Sequence, residues 1–280
     1  MSKNLALTAV AVIEFDSLVK HAYAGMGLLK PSVTVRNNVV GETYKFRKMG
    51  KGLANQKSTS DLVTPMDVTH EVQTATMQNW NAPEYTDIFD QAEVNFDEKQ
   101  ELATTIAGAL SRREDQLIID VMDAASPTTI AHGSAALTMD KVIEAQATLR
   151  KQNVPSTDLH AAIDGDGLKG LLKDTKATSS DFQTIKALVS GDINTLAGFA
   201  VHVVGTRTEG GLTVGVTASN IVNSYFYHKE AVGLAIGIEM KTSIDYIPER
   251  TSFLCNGMLK AGAVVRDVDG IVQVDYSNAA

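Results

Sequence analysis

The sequence contains little cysteine and few aromatic residues. Of its 280 residues only Cys255 is a cysteine and only Trp80 is a tryptophan, and aromatic residues make up 6% of the chain. One cysteine cannot form a disulfide within the chain. Because Cys255 ends the mostly apolar run Ser252–Cys255, we expect a small buried side chain in a protein made in a reducing compartment, rather than a nucleophile.

The sequence also lacks a long apolar segment. No stretch approaches the roughly 20 apolar residues that a membrane-spanning helix needs. The N-terminus resembles a signal peptide only superficially, because the apolar stretch Leu5–Ile13 that follows Lys3 is short and is interrupted by Glu14 and Asp16. We therefore expect neither a membrane partner nor a cleaved leader.

Signatures of catalysis and metal binding are missing as well. No P-loop, nucleophile elbow or zinc-protease motif occurs. The histidines stand singly, without metal-ligand spacing, and we interpret each as structural: His21, His70, His132, His160, His202 and His228. The sequence therefore predicts no catalytic residue, no cofactor-binding residue and no metal ligand.

One glycine-rich segment invites a different interpretation. Gly165–Gly170 fits the dinucleotide fingerprint after a predicted strand, but no acidic residue closes a second parallel strand at the required distance. Asp164 and Asp166 also lack the later ligands of a calcium loop. We interpret the segment as a turn with a glycine C-cap and keep a dinucleotide-dependent enzyme as a remote alternative.

The overall composition is that of a globular protein with a substantial core. Hydrophobic residues make up 44% of the chain and charged residues 21%, and the formal net charge is −8. A protein that binds nucleic acid over its whole surface needs a basic footprint, which this charge opposes. Any contact with DNA is therefore expected to be local and nonspecific.

Charge is divided between two neighbouring segments. Residues 31–60 contain six basic residues and one acidic residue, a net charge of +5, and residues 61–100 contain nine acidic residues and one basic residue, a net charge of −8. Opposite charge on two parts of one chain can draw copies together head to tail. We therefore expect this stretch to contact another subunit.

The predicted elements indicate an α+β protein. Ser32–Val40 and Glu42–Met49 resemble strands, a flexible tip follows at Gly50–Gly52, and a return strand covers Val68–Met77. A long helix begins after a cap at Asn95 and ends before Pro127. The remaining predicted helices are Thr138–Gln152, Leu168–Lys173 and Phe182–Val189. The remaining predicted strands are Asp158–Ile163, Phe199–Val204, Leu212–Thr217, Val222–Tyr227, Ile236–Tyr246, Thr251–Val265 and Ile271–Tyr276.

Within the long helix, we interpret Arg112 and Arg113, next to Glu114 and Asp115, as a solvated face.

Several segments resemble the major capsid proteins of tailed bacteriophages. They are Val35–Glu42, Trp80–Asp87, Asn95–Ala103, Gly198–Phe199, Tyr227–Ala235, Tyr246–Arg250 and Gly262–Arg266. The resemblance implies the α+β Hong Kong 97-like capsid fold. Its parts would be an N-terminal arm (1–30), an extended β loop (31–80), a peripheral domain (81–137 and 240–280) with a spine helix at about 96–124, and an axial domain (138–239).

The function that this resemblance implies is structural. The chain would self-assemble through pentamers and hexamers into an icosahedral shell around double-stranded DNA, and it would be made in the cytoplasm of a bacterial host and reside in the virion capsid. Expected partners are copies of itself, and portal and possibly decoration proteins. Only thirty residues precede the loop, whereas some relatives have a scaffolding domain there, so either a separate scaffolding protein exists or a longer precursor was trimmed; Met1 favours the separate protein. A cellular encapsulin-like nanocompartment shell is the alternative.

The expected assembly interface combines the basic loop with the acidic segment after it. Its predicted residues are Arg36, Lys45, Phe46, Arg47, Lys48, Lys51, Lys57, Glu84, Asp87 and Asp90. Among apolar residues, we expect Val39, Phe46 and Leu53 to bury against the neighbour. Some relatives crosslink a loop lysine to a neighbour's asparagine, which makes the four loop lysines and Asn256 candidates, although lysines on a surface arm are ordinary.

Overall fold

The computed structural model describes residues 27–88, 98–174, 195–205, 212 and 221–277. Helices and strands are mixed along these residues, which confirms the predicted α+β class. The helices are α1 (Glu98–Ala124), α2 (Met139–Lys151) and α3 (Gly165–Lys173). The strands are β1 (Thr34–Arg36), β2 (Thr43–Met49), β3 (His70–Thr76), β4 (Gln78–Asp87), β5 (Thr128–Ile130), β6 (Leu159–Ile163), β7 (Thr195–Leu196), β8 (Phe199–Val203), β9 (Ile221–His228), β10 (Val232–Ile247), β11 (Ser252–Val265) and β12 (Ile271–Ser277).

An elongated four-stranded sheet carries α1 on one face. Its strand order is β1-β10-β11-β4, and β10 and β11 form a long antiparallel hairpin. The 16 residues of β10 extend about 50 Å at the usual rise of a strand. A Cβ added to Gly257 would lie 2.2 Å from Cγ2 of Ile106, so this glycine lets the helix approach the sheet closely.

A second, six-stranded sheet has the order β5-β12-β9-β6-β8-β7 and packs against α2. The apolar side chains of α2 that are buried here include Val142 and Leu149. At the centre of the packed layer, Phe199 and Phe226 meet edge to face with their ring centroids 5.0 Å apart. The two sheets are joined in sequence by a single 3-10 turn, Lys229–Ala231, which connects β9 of one sheet to β10 of the other.

Most predicted elements that fall on described residues are observed. The spine helix is confirmed over Glu98–Ala124, and β10 begins at Val232, four residues before its predicted start at Ile236. Strand β4 was not predicted, and it forms because it pairs with β11 along its whole length. Strand β12 pairs with β9, in the sheet that contains β6 and β8, although the sequence division grouped residues 240–280 with the spine helix. The domain boundaries stay predictions.

Some predictions fall outside the described residues. They are most of the N-terminal arm, the helix cap at Asn95, the predicted helix Phe182–Val189 and, apart from Leu212, the predicted strand Leu212–Thr217.

Candidate assembly surface

The basic segment forms a hairpin that projects from its own subunit. Strands β2 and β3 pair in antiparallel register from Thr43–Thr76 to Met49–His70, and the connection over residues 50–69 contains no helix or strand. Every residue from 51 to 67 is exposed. A two-stranded ribbon is only marginally stable alone, so the hairpin depends on contacts at its base. The extended loop expected over residues 31–80 stays a prediction as a domain, and its hairpin is the part that the structure describes.

The basic residues of the hairpin do not all behave alike. Lys45, Arg47, Lys51 and Lys57 are exposed, as is Arg36 on the edge strand β1.

Lys48, by contrast, is held by its own chain. Its Nζ lies 2.8 Å from Oδ1 of Asp267, and this hydrogen bond raises the pKa of the lysine, against the opposing effect of burial. Lys48 therefore forms an ion pair within its own subunit, whereas the other basic side chains of the hairpin are exposed.

Phe46, which was predicted to bury against a neighbour, is already buried in its own subunit. The side chain is only 5% exposed and packs with Ala75, Met77 and Ala235 of the same subunit. Its ring covers Gly233, where a Cβ would lie 2.7 Å from Cζ. The physical reason is that a two-stranded ribbon is only marginally stable alone, and burial of the Phe46 ring stabilises its attachment to the body of the subunit. Val39, also predicted to face a neighbour, packs against the same cluster.

Apolar side chains at the tip are exposed to an unusual degree. Leu53 is 80% exposed, Leu62 is 93% exposed and Val63 is 75% exposed, and Met49 and Met66 are also exposed. Single exposed apolar residues are common on protein surfaces, but several within one short segment indicate a surface that binds another molecule. Of the three apolar residues predicted to contact a neighbour, Leu53 is therefore the one that is free to do so.

The predicted acidic residues lie near the opposite end of the long sheet. Glu84 and Asp87 are on β4, and Glu84 is exposed; Asp90 lies outside the described residues. Through the strand pairing, Glu84 is level with Ile244 of β10, whereas the base of the basic hairpin covers Gly233. Eleven residues of strand correspond to about 35 Å. One subunit thus presents opposite charge at two distant places.

The glycine-rich segment is part of a helix, so its interpretation as a turn with a glycine C-cap is wrong. Gly165–Lys173 is α3, and the Asp164 carboxylate caps its N-terminus by accepting a hydrogen bond from the Gly167 N–H at 2.6 Å. Asp164 also accepts a hydrogen bond from the Tyr276 hydroxyl, and a Cβ on Gly167 would lie 2.8 Å from that oxygen. The carboxylate occupies the position where a dinucleotide phosphate would bind.

Two histidines that are distant in sequence lie side by side. Nδ1 of His160 on β6 is 3.1 Å from Nε2 of His202 on β8. Burial and the neighbouring His202 lower the pKa of His160 to about 4, and burial also lowers the pKa of His202. Among the described residues, no group of three or more histidine, cysteine, aspartate or glutamate side chains is placed to hold a metal ion.

Comparison with known families identifies the chain. A family model described as "Phage capsid protein" matches residues 7–278, nearly the whole sequence. The chain belongs to the phage capsid protein family. No curated protein sequence matches it.

Solved capsid structures share the fold of this phage capsid protein. The structure from Helicobacter pylori bacteriophage KHP30 has a TM-score of 0.79 at 10% identity and covers 99% of this chain and 98% of its own. The capsid structure of cyanophage P-SCSP1u has a TM-score of 0.73 at 17% identity, and the match covers 96% of this chain and 93% of the cyanophage chain. A third structure, from Mycobacterium phage Che8, has a TM-score of 0.72 at 16% identity, and the match covers 93% of this chain and 95% of the Che8 chain. The chain therefore has the Hong Kong 97-like fold, and its role is that of a structural capsid protein. None of the described helices is both long and apolar enough to cross a membrane.

One anchoring site of the capsid protein was missed by the sequence interpretation. The Asp115 carboxylate on α1 is fully buried and accepts hydrogen bonds from the backbone N–H groups of Leu28 and Leu29, each at 2.9 Å. Beside it, Lys30 forms an ion pair with Glu114 at 3.1 Å, and burial raises the pKa of that glutamate. These contacts fasten the segment before β1 to the spine helix.

The predicted solvated face at this point of the helix is therefore wrong. Glu114 and Asp115 are buried, and the Arg113 guanidinium stacks on Trp80, 3.7 Å from the ring centroid. The only signal in the sequence for this anchoring site was a pair of acidic residues between apolar positions of the helix. A helix face exposed to solvent has the same pattern, so the sequence alone does not distinguish the two. Cys255 is buried, as predicted.

Proposed function

We propose that this capsid protein builds an icosahedral shell from homo-pentamers and homo-hexamers, with the hairpin of each subunit lying on a neighbour. The exposed apolar tip at residues 50–69 is the observation that carries this proposal. Burying Leu53, Leu62 and Val63 would contribute about 1.5 to 3 kcal/mol for each fully covered side chain. Apolar burial is therefore expected to supply most of the contact energy.

Charge supports a head-to-tail arrangement of the subunits. The base of the basic hairpin, at Gly233, and Glu84 on β4 are separated by about 35 Å along the sheet, so the basic side chains at that base do not pair with Glu84 within one subunit. A contact between two different patches closes into a ring when the rotation between the subunits permits it. Exposed ion pairs contribute only about 0 to 1 kcal/mol each, so their expected role is registration.

We further propose that the shell encloses double-stranded DNA, with portal, scaffolding and possibly decoration proteins as additional partners. Membership of the phage capsid protein family supports this proposal. The net charge of −8 favours loose, nonspecific contact between the shell and the DNA. Synthesis in the cytoplasm of a bacterial host is part of the same proposal.

Two variants of the tip test the assembly role. Deletion of residues 49–58, and separately Leu53→Asp combined with Val63→Asp, should give folded subunits that do not form closed shells in electron micrographs. Leu53→Met combined with Val63→Ile is the matched control, because it keeps the tip apolar and should assemble normally. Normal shells from the deletion or from the aspartate variant would refute the proposed role of the tip.

The content of the particles tests the enclosed genome. Particles isolated from infected cells should contain DNA that is protected from nuclease. Particles filled with a cargo enzyme and lacking nucleic acid would instead support the encapsulin-like alternative.

A further inference from the structure

The base of β3 packs against β11, where a Cβ on Gly262 would lie 2.1 Å from the Thr76 carbonyl oxygen, and two side chains on one face of β2 also contact the body of the subunit. The Phe46 ring covers Gly233, and two residues further along the strand Lys48 pairs with Asp267 at 2.8 Å. Side chains at positions i and i+2 of a strand point to the same face, and the two contacts are about 7 Å apart along the ribbon. Beyond Lys48, the chain from residue 51 to residue 67 is exposed.

Open space borders the ribbon near the ion pair. Beside β2, a cleft of about 310 Å³ separates Arg47 and Met49 from Gln152–Pro155. A second cleft, of about 460 Å³, lies beside β3 between Glu71 and the C-terminal end of α1. Packed side chains therefore do not fill the flanks of the ribbon at this level, and the ion pair is the contact placed to resist sideways rotation.

We propose that the Lys48–Asp267 ion pair is a positioning contact that fixes the angle at which the hairpin leaves the subunit, with Phe46 on Gly233 as the pivot. This inference depends on the proposed assembly function, because the angle matters only if the tip must reach a neighbour. Ten residues of extended chain reach about 30 Å beyond the ion pair. A rotation of about 10° would move such a tip by about 5 Å, more than the roughly 4 Å range of an apolar contact.

Neighbouring charges favour the same geometry. Glu71 is opposite Lys48 across the hairpin, and Asp269 lies close to Asp267 in the chain; both carboxylates attract the lysine. The pair is partly exposed and therefore weak in any one subunit. In a shell every subunit has the same preferred hairpin angle. Small differences in the rotation between neighbouring subunits decide whether heterologous contacts close into a shell or continue as open sheets.

The first measurement is hydrogen exchange of the unassembled subunit. Lys48→Ala or Asp267→Ala should lower the protection of β2 and β3 by about two- to fivefold, the range expected for a partly exposed ion pair. The melting temperature of the body should stay the same. Lys169→Ala is the matched control, because it removes the lysine of another exposed pair, with Asp166 at 4.0 Å on α3, and should leave the hairpin unaffected.

The second measurement is the diameter distribution of assembled particles. Lys48→Ala keeps the apolar tip and should still assemble, but with a broader diameter distribution and open sheets. Lys48→Arg keeps the positive charge beside Asp267, Glu71 and Asp269 and should give wild-type diameters, whereas Lys48→Met keeps the length of the side chain without its charge and should behave like Lys48→Ala. If Lys48→Ala fails to fold, Lys48→Met and Asp267→Asn still test the angle.

Different outcomes separate this inference from the proposed function. Wild-type diameters from Lys48→Ala or from Lys48→Met would overturn the positioning role, while the tip variants could still abolish assembly. Normal shells from the Leu53 and Val63 aspartate variant would instead overturn the assembly role of the hairpin itself.

Discussion

Replacement of Phe46 by alanine tests whether this ring belongs to its own subunit. The ring is 5% exposed, meets Tyr44 edge to face at 4.7 Å and covers Gly233. Truncation of a buried phenylalanine to alanine costs about 3 to 5 kcal/mol. Because Phe46 is the largest side chain of the buried cluster that joins β2 and β3 to the body, we expect the loss to appear as local opening of β2 and β3 rather than as global unfolding.

Hydrogen exchange of the unassembled Phe46→Ala subunit measures this opening directly. A loss of 3 kcal/mol corresponds to exchange that is about a hundredfold faster or more, and it should be confined to the amides of β2 and β3. Val72→Ala is the matched control, because Val72 is on β3 but is 50% exposed, and its truncation should change protection little.

The opposite result would refute the reasoning. If Phe46→Ala left exchange of the hairpin unchanged and blocked only the formation of shells, the ring would be stabilising an intersubunit contact, as the sequence alone suggested.

Three further substitutions test other parts of the structure. Gly257→Val should destabilise the subunit in urea by about 1 to 3 kcal/mol, since the added methyl groups meet the spine helix; an unchanged midpoint would contradict the close packing. Gly167→Ala should lower stability because its Cβ meets Tyr276, and a dinucleotide should bind neither form; saturable binding to the wild type would contradict the structural role of the glycine. The pKa of His160 is lowered in the folded state to about 4 from an ordinary 6.5, so its contribution to stability should be intact above pH 6.5 and decrease as the pH falls towards 4. His160→Gln should flatten the pH dependence of the melting temperature in that window, and an identical pH dependence would exclude this histidine as a cause.

Local patterns predicted the elements that carry their own signal. The spine helix has apolar residues at helical spacing, and β12 is rich in residues that favour strands, so their existence could be predicted. Strand β4 contains Pro83 and little alternation, and it is a strand because β11 pairs beside it. Pairing between segments more than 150 residues apart cannot be read from either segment alone.

The same limit applies to the candidate assembly surface. The sequence identifies the hairpin as basic and without a core, but Lys45 and Lys48 look equivalent until Asp267 is placed beside one of them. Phe46 and Leu53 likewise look equally suited to a partner, and only the position of Gly233 shows which one is already buried. Which side chains remain free for a neighbour depends on contacts within the folded subunit.

A three-dimensional reconstruction of the assembled particle by electron microscopy tests the central claim most directly. We predict a closed icosahedral shell of pentamers and hexamers in which residues 50–69 of each subunit lie on a neighbouring copy, with Leu53, Leu62 and Val63 covered. A closed shell in which these residues stay exposed, or contact only their own subunit, would contradict the account.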